Sequence, residues 1–420
     1  MKRRIFLPLT LALALLLAAL SGCAPSENVP AATSRAEPVT LVLATDLHYI
    51  SPAICDNGEA FRTAVEHGDG KAMYYIQEII EGFVDEMLTL RPDAVLLTGD
   101  LTFSGAKVSH EDLVKLLTRL TEAEIPTLVI PGNHDLDSDS ALSFSGADYA
   151  AVESISGEEF AALYAPFGLE QALSRDEHSL SYVYAPRKDL RILMLDANSA
   201  GWCSIPDETM DWVEGQLKSA RRAGAKVIAA SHQNINVHMN VFSWGYQIVQ
   251  GDALRALYED YGVLCNLSGH LHLQHIVDGA VPEAATSALS LNPNQYAVIT
   301  YDGETLSYHT EQLDLSAWAK KQGSDDPNLL DFAAYSERFM IDTARAKQSE
   351  KLAGSGMSEA DIAAYCDAFA RLNAVYFAGD TVNAEDFRDG LSRIDGGTTY
   401  LDTITADPRA DHHSFTRTAD

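Results

Sequence analysis

Short apolar runs rich in β-branched residues alternate with longer helical patterns between residues 39 and 313, and this alternation constrains the fold more than any other feature. The runs are Val39 to Thr45, Ala94 to Thr98, Thr127 to Ile130, Leu190 to Leu195, Lys226 to Ala230 and Val263 to Leu267. Each is too short for a helix and too continuously apolar for a half-solvated strand, so each reads as a buried strand. Between them the spacing of apolar residues predicts helices over Met73 to Leu90, Glu111 to Ala123, Ser156 to Tyr164, Asp207 to Ala223 and Gly251 to Asp260. Strand and helix in regular alternation imply an α/β layered fold with a largely parallel core. A second strand-rich stretch, Ala285 to Leu313, carries the hairpin signal Tyr301-Asp302-Gly303-Glu304.

The flanks read differently. Lys2, Arg3 and Arg4 precede the apolar run Ile5 to Leu20, and Leu20-Ser21-Gly22-Cys23 follows directly. A basic start, an apolar stretch short for a spanning helix and small residues after it form the layout of an export signal. The four residues ending in Cys23 resemble the lipobox of bacterial lipoproteins, whose cysteine is acylated. That resemblance implies a signal peptide over residues 1–22 and a lipidated Cys23 opening a flexible tether over residues 23–38. The remainder would then be extracytoplasmic and anchored to the bacterial cell membrane. A plain secretory signal or an uncleaved anchor is the alternative. Beyond residue 314 helices are expected near Leu329 to Lys347 and Glu359 to Phe377, the second opened by a Ser358 cap. Ile362, Tyr365, Phe369, Leu372 and Tyr376 mark one face of that helix, so residues 314–420 read as a C-terminal helical extension covering the main domain, with a separate functional module as the alternative.

Composition removes some classes of function. The chain carries 30 Lys and Arg against 60 Asp and Glu, a formal net charge of −30, which repels nucleic-acid phosphates, so no nucleic-acid binding is expected. Besides Cys23, Cys55, Cys203, Cys265 and Cys366 are widely spaced with no C-x-x-C pair, which disfavours a cysteine zinc site and leaves disulfides among them open.

Polar residues of metal-ligand type collect where the expected strands end: Asp46 and His48, Asp100, Asn133 and His134, His232, then His270 and His272. Those ends are where sites form in open α/β sheets. Two residues apart in an extended segment, Asp46 and His48 would point the same way, while Gly99 and Gly132 supply permissive backbone before the next ligands. Carboxylate, amide and imidazole donors without thiolate suit Mn, Fe, Zn or Co. Five of the 13 histidines fall in these few segments, always after a strand, although a lone strand-end histidine is more often structural.

The ordered blocks Asp46-Leu47-His48, Gly99-Asp100, Gly132-Asn133-His134-Asp135, His232 and Gly269-His270-Leu271-His272 resemble the calcineurin-like metallophosphoesterase superfamily. The resemblance covers residues 39–313 and implies a four-layer α-β-β-α sandwich. It assigns Asp46, His48 and His272 to one divalent metal, Asn133, His232 and His270 to a second, and Asp100 to both. His134 would be the proton donor and Asp135 its orienting partner. Such a pair of ions would make hydroxide available near neutral pH for in-line attack on phosphorus, with His134 assisting the leaving group.

Departures within the superfamily narrow the substrate. Protein phosphatases continue the second block as G-D-x-V-D-R-G, whereas Leu101, Thr102, Phe103 and Ser104 stand here; purple acid phosphatases place a tyrosine where Phe103 stands. The G-D-L-T form with His48 looks more like the cyclic-nucleotide-phosphodiesterase-like branch, which implies a small phosphodiester as substrate. A phosphomonoesterase or nucleotidase, or a non-catalytic lipoprotein binding metal or phosphate, is the alternative. The segment Ile50 to Lys71 reads as a loop overhanging the cleft, where Arg62 or Lys71 would meet the substrate; His238, with Asn234 and Asn236, is a further candidate for the cleft wall.

Overall fold

Two sheets lie face to face because their strands bury both sides, one against the other sheet and one beneath helices. The computed structural model describes residues 37–240 and 245–419. The first sheet runs in the order Ser414–Thr418, Thr305–Gln312, Gln295–Tyr301, Val39–Ala44, Ala94–Thr98, Thr127–Ile130. The last three strands are mutually parallel, and the others join antiparallel. The second sheet runs His275–Val277, Glu283–Ala285, Asn266–Ser268, Lys226–Ser231, Leu190–Leu195, Tyr182–Arg187, Ser174–Arg175, with the strands from Glu283–Ala285 to Leu190–Leu195 parallel.

The two-residue period of a strand divides each one between layers. Leu41 and Leu43 join Leu96, Leu128, Ile192, Met194 and Ile228 in the core between the sheets. Val42 and Ala44 point the other way, into a core closed by the helices Ile76–Leu90 and Lys107–Glu122. On the far side Leu193, Val227 and Ala229 pack under the helices Asp207–Ala223 and Gly251–Tyr261. Helix, sheet, sheet and helix make the layered α/β fold that the alternation implies, in the four-layer form that the resemblance implies.

Three local differences have physical causes. The run Val263 to Leu267 is regular strand only over Asn266–Ser268, because the Val263 N–H caps the preceding helix at the Tyr258 carbonyl, although Leu264 and Cys265 already hydrogen-bond to Val227 and Ala229. The Ile50 to Lys71 segment holds a helix, Glu59–Glu66, fixed by buried Phe61 and Val65. The four cysteines of the described residues are all free thiols.

The C-terminal region is helical, with Phe332–Leu352 and Glu359–Ala378 its longest helices, and the Ser358 side chain accepts the Asp361 N–H at 3.1 Å. It does not end as a helical cover, however. Ser414–Thr418 returns to the first sheet and shields the edge of Thr305–Gln312, with Phe415 stacked on Tyr308 at 5.3 Å. The helices dock beside the last ligand block: Leu372 and Tyr376 pack with Leu271 and Leu273, and the Gln274 N–H donates to the Phe377 carbonyl at 2.9 Å. Residues 37–420 accordingly form one unit. The expected leader and tether, with Cys23, fall outside the described residues, among which no helix is long and apolar enough to cross a membrane.

Because the helical region shares its core with the sheet, Leu372→Ala, at a fully buried position, is expected to cost about 2–5 kcal/mol and to lower a single cooperative melting transition. Two resolved transitions in calorimetry, only one of them shifted, would contradict this.

Candidate metal centre and its cleft

The parallel strands of the two sheets end at a common edge, and the chain turns sharply as it leaves them. Asp46, His48, Asp100, His270 and His272 all lie in the left-handed region, with φ between 46° and 67°. Side chains other than glycine are uncommon there, though Asp and His tolerate it best, and such strain collects at functional sites. Asp46 and His48 therefore reach the site from a twisted backbone and not from the extended one that their spacing suggests. Hydrogen bonds brace the turns against each other: the Asp46 N–H donates to the Gly99 carbonyl at 3.1 Å and the His48 N–H to the Asp100 carbonyl at 2.9 Å. Gly132 is needed for proximity, since a Cβ there would overlap Asp100, and one at Gly269 would overlap Thr45 and Asp46.

The side chains converge in two groups that share a member. Asp46, His48, Asp100 and His272 each offer one donor atom within 4.8 Å of the others, and Asp100, His232 and His270 do the same. Asn133 Oδ1 lies 3.1 Å from His232 Nε2, joining the second group. Outer hydrogen bonds choose which ring nitrogen faces inward. His232 Nδ1 donates to the Thr98 carbonyl at 2.8 Å, His272 Nδ1 to Asp69 Oδ2 at 2.8 Å and His270 Nε2 to the Gly245 carbonyl at 3.0 Å. His48 and His272 bring their Nε2 atoms to 3.1 Å of each other, and Asp46 Oδ1 is buried there without a hydrogen bond. A buried carboxylate oxygen without a donor is costly unless a cation meets it, so the donor set fits divalent metal ions.

Charge in the site is correspondingly polarised. Burial opposes ionisation of Asp100, yet the imidazoles of His232 and His134 outweigh it and hold the carboxyl well below its ordinary range; His272 does the same for Asp46. Burial likewise opposes protonation of His232 and His272, but Asp100 and Asp46 raise both to about 9. His48 and His270 are depressed, chiefly by burial, His270 to about 4. In the protein without a bound cation, then, two imidazolium protons answer two carboxylates.

The chain matches the family model described as calcineurin-like phosphoesterase over residues 39–274, more than half its length. It belongs to the calcineurin-like phosphoesterase family. A second model, the C-terminal domain of cyclic nucleotide phosphodiesterase, matches residues 314–411 of this chain. A probable cyclic nucleotide phosphodiesterase from Ruthia magnifica subsp. Calyptogena magnifica is 33% identical over 66 residues, covering 16% of this chain and only 27% of that relative. Among solved structures, a dimetal phosphatase from Danio rerio has a TM-score of 0.48 at 12% identity, covering 65% of this chain and 96% of its own. A purple acid phosphatase from yellow lupin (Lupinus luteus) seeds has a TM-score of 0.44 at 14% identity, covering 66% and 51%. The family is one of phosphoesterases, and the clusters above suggest divalent ions.

The fold places the other expected site residues unequally. His134 is half exposed at the cleft, its Nε2 3.8 Å from Asp100 Oδ2. Asp135 does not orient it. Fully buried, Asp135 accepts the N–H groups of Leu101, Thr102 and Gly132 at 2.8–3.0 Å and so clamps the second block to the third. Lys71 lines the cleft, but Arg62 does not: its guanidinium donates outward to the Asn57 carbonyl at 3.1 Å. His238 is also displaced, buried 3.3 Å from Glu283 and 3.2 Å from His275, where it ties the sheet to Asp407 of the C-terminal region through His275. Asn234 and Asn236 bond to Ser268 and Glu283 instead of facing the cleft. The residue that sequence reasoning passed over is Asp69, which shares its carboxylate between His272 and Lys71 Nζ, both at 2.8 Å.

Asp69→Asn is expected to weaken metal binding about 10- to 100-fold, the usual effect of losing an imidazole's outer partner; unchanged affinity in a calorimetric titration would refute that role. A cation must also displace protons from His232 and His272. With both raised from 6.5 to about 9, metal affinity should climb as pH rises from 6.5 towards 9, and binding at pH 7 should release about two protons. The opposite sign holds for the metal-free fold: the stability these two groups contribute is complete below pH 6.5 and lost as pH rises through 9. Titration in buffers of different ionisation enthalpy measures the proton release, and none released would contradict the assignment.

Proposed function

We propose that this chain is a two-metal phosphodiesterase acting on a small phosphodiester. The observation that carries the reading is the shared group at Asp100 with half-exposed His134 beside it, which sets a proton donor at the mouth of a two-cation site. Asp46, His48 and His272 would hold one ion, Asn133, His232 and His270 the other, and Asp100 both. When bound, such ions supply a nucleophile near neutral pH and neutralise charge on phosphoryl oxygens.

The chain's own residues do the rest. Asp100 Oδ2 faces His134 Nε2 at 3.8 Å, which holds the imidazole where it would give a proton to the departing ester oxygen. Asp135 holds the backbone that carries both residues, so it positions without touching substrate. A diester is favoured over a monoester because no arginine stands where the protein phosphatases carry one, and Lys71, the formally charged side chain lining the cleft among the described residues, is already neutralised by Asp69. A monoester dianion would find little further positive charge. The match to a cyclic nucleotide phosphodiesterase C-terminal domain supports the same choice. From the sequence alone we also propose that Cys23 carries a lipid that anchors the enzyme, extracytoplasmic, to the bacterial cell membrane.

With Mn²⁺, bis-p-nitrophenyl phosphate should be hydrolysed faster than p-nitrophenyl phosphate, and Asn133→Ala should abolish turnover. His134→Ala should lower kcat by about 10²- to 10⁴-fold for esters with poor leaving groups, and less for p-nitrophenyl esters, whose leaving group needs little help from an acid. Equal losses on both ester types would argue against proton donation. Metal binding with no turnover of either substrate would favour a binding protein instead.

A further inference from the structure

A cavity of about 400 Å³ opens beside the metal centre, with His48 and His134 forming part of its wall. This volume falls within the roughly 300–1,000 Å³ of small-molecule sites. Its remaining walls are predominantly apolar: Ala60 and Ala64 come from the helix Glu59–Glu66, Leu142, Phe144 and Tyr149 from the hairpin of Leu142–Ser145 with Asp148–Ala151, and Phe103 from the second block, with the hydroxyls of Thr63, Ser104 and Ser140 and the Lys71 amine as the other polar groups.

The walls are firmly built. Phe61, Phe103 and Phe144 meet edge to face with centroids 5.2 to 6.2 Å apart, a favoured aromatic geometry that fixes the floor. The hairpin is pinned by the Phe144 N–H on the Ile54 carbonyl at 2.7 Å and by the Gly146 N–H on Asp56 at 2.8 Å. Opposite Phe144 in the hairpin register stands Tyr149, 69% exposed at the rim. A large ring left facing solvent above an apolar floor is what a flat ligand would stack against. The formal charge on the wall is that of Lys71, whose Nζ sits 2.8 Å from Asp69.

We infer that this cavity receives the departing arm of the substrate, and that it selects arms that are flat, apolar and without a charge of their own. The assignment to the departing side rests on the reading of His134 as proton donor, since the arm lying against that imidazole is the one whose oxygen it can protonate. A second phosphate on that arm would meet aromatic and aliphatic carbon, with its nearest cation already paired, so diphosphates are poor ligands. This also gives the Ile50 to Lys71 segment a purpose beyond the reach of a single cation. Its helix forms one wall, and Asp56 anchors the other.

The test uses the full chain loaded with Mn²⁺. Tyr149→Ser, at an exposed rim position, should raise KM for bis-p-nitrophenyl phosphate and the inhibition constant of phenylphosphonate about tenfold, the factor equivalent to roughly 1.4 kcal/mol. Inhibition by methylphosphonate and inorganic phosphate, which have no arm to stack, should stay within about twofold. Tyr149→Trp, which keeps a flat ring, should restore wild-type values. Unchanged KM in Tyr149→Ser, or equal weakening of all three inhibitors, would overturn the pocket while leaving phosphoesterase activity standing. Absence of turnover with every ester would instead sink the functional reading and, with it, the departing-arm assignment.

Discussion

Two carboxylates, Asp46 and Asp100, are buried in one pocket, and the rest of the site answers that single electrostatic demand. Neither can lose its charge cheaply by protonation, because the surrounding imidazoles hold both well below the usual carboxylate range. Yet one oxygen of Asp46 is buried without a well-formed hydrogen bond, its nearest donor the His272 ring 3.3 Å away. Backbone carbonyls of Thr98 and Gly245 and the carboxylate of Asp69 turn three histidines so that their free nitrogens face the same space. Left-handed backbone at five of the ligand-type residues is the conformational cost of that convergence, roughly 1–3 kcal/mol at each position. A fold tolerates this at strand ends, where two sheets and their helices over-determine the turns.

The layers explain why the centre is rigid and the cleft selective. Strands of the first sheet deliver Asp46, Asp100 and Asn133, and those of the second deliver His232, His270 and His272, so the core between the sheets sets the spacing of the two halves. The C-terminal helices pack on Leu271 and Leu273, directly beside two of those histidines. Substrate discrimination is left to elements outside the sandwich, the helix Glu59–Glu66 and the hairpin after the third block, which can vary without disturbing the centre.

What the sequence made legible follows from range. Strands such as Ala94–Thr98 and Leu190–Leu195 could be read to the residue because burial on both faces leaves a nearly continuous apolar signature, broken in the second only at Arg191. The ligand-type residues followed from their position just beyond those runs. Long-range partnerships carried no such mark. Asp69 meets His272 across 203 residues, and nothing in its loop announces the contact. Asp135 misled by adjacency: next to His134 in the chain, it faces the opposite way because buried N–H groups of Leu101, Thr102 and Gly132 demanded an acceptor. Ser414–Thr418 escaped because an edge strand with one apolar residue, Phe415, has almost no periodic signal.

The central claim is that the pocket around Asp100 binds two cations at once. Calorimetric titration of metal-depleted protein with Mn²⁺, counted against protein concentration, tests it most directly. Two equivalents per chain, with both lost in Asp100→Ala, is the predicted result. A stoichiometry of one that survives Asp100→Ala, or no saturable binding, would contradict it.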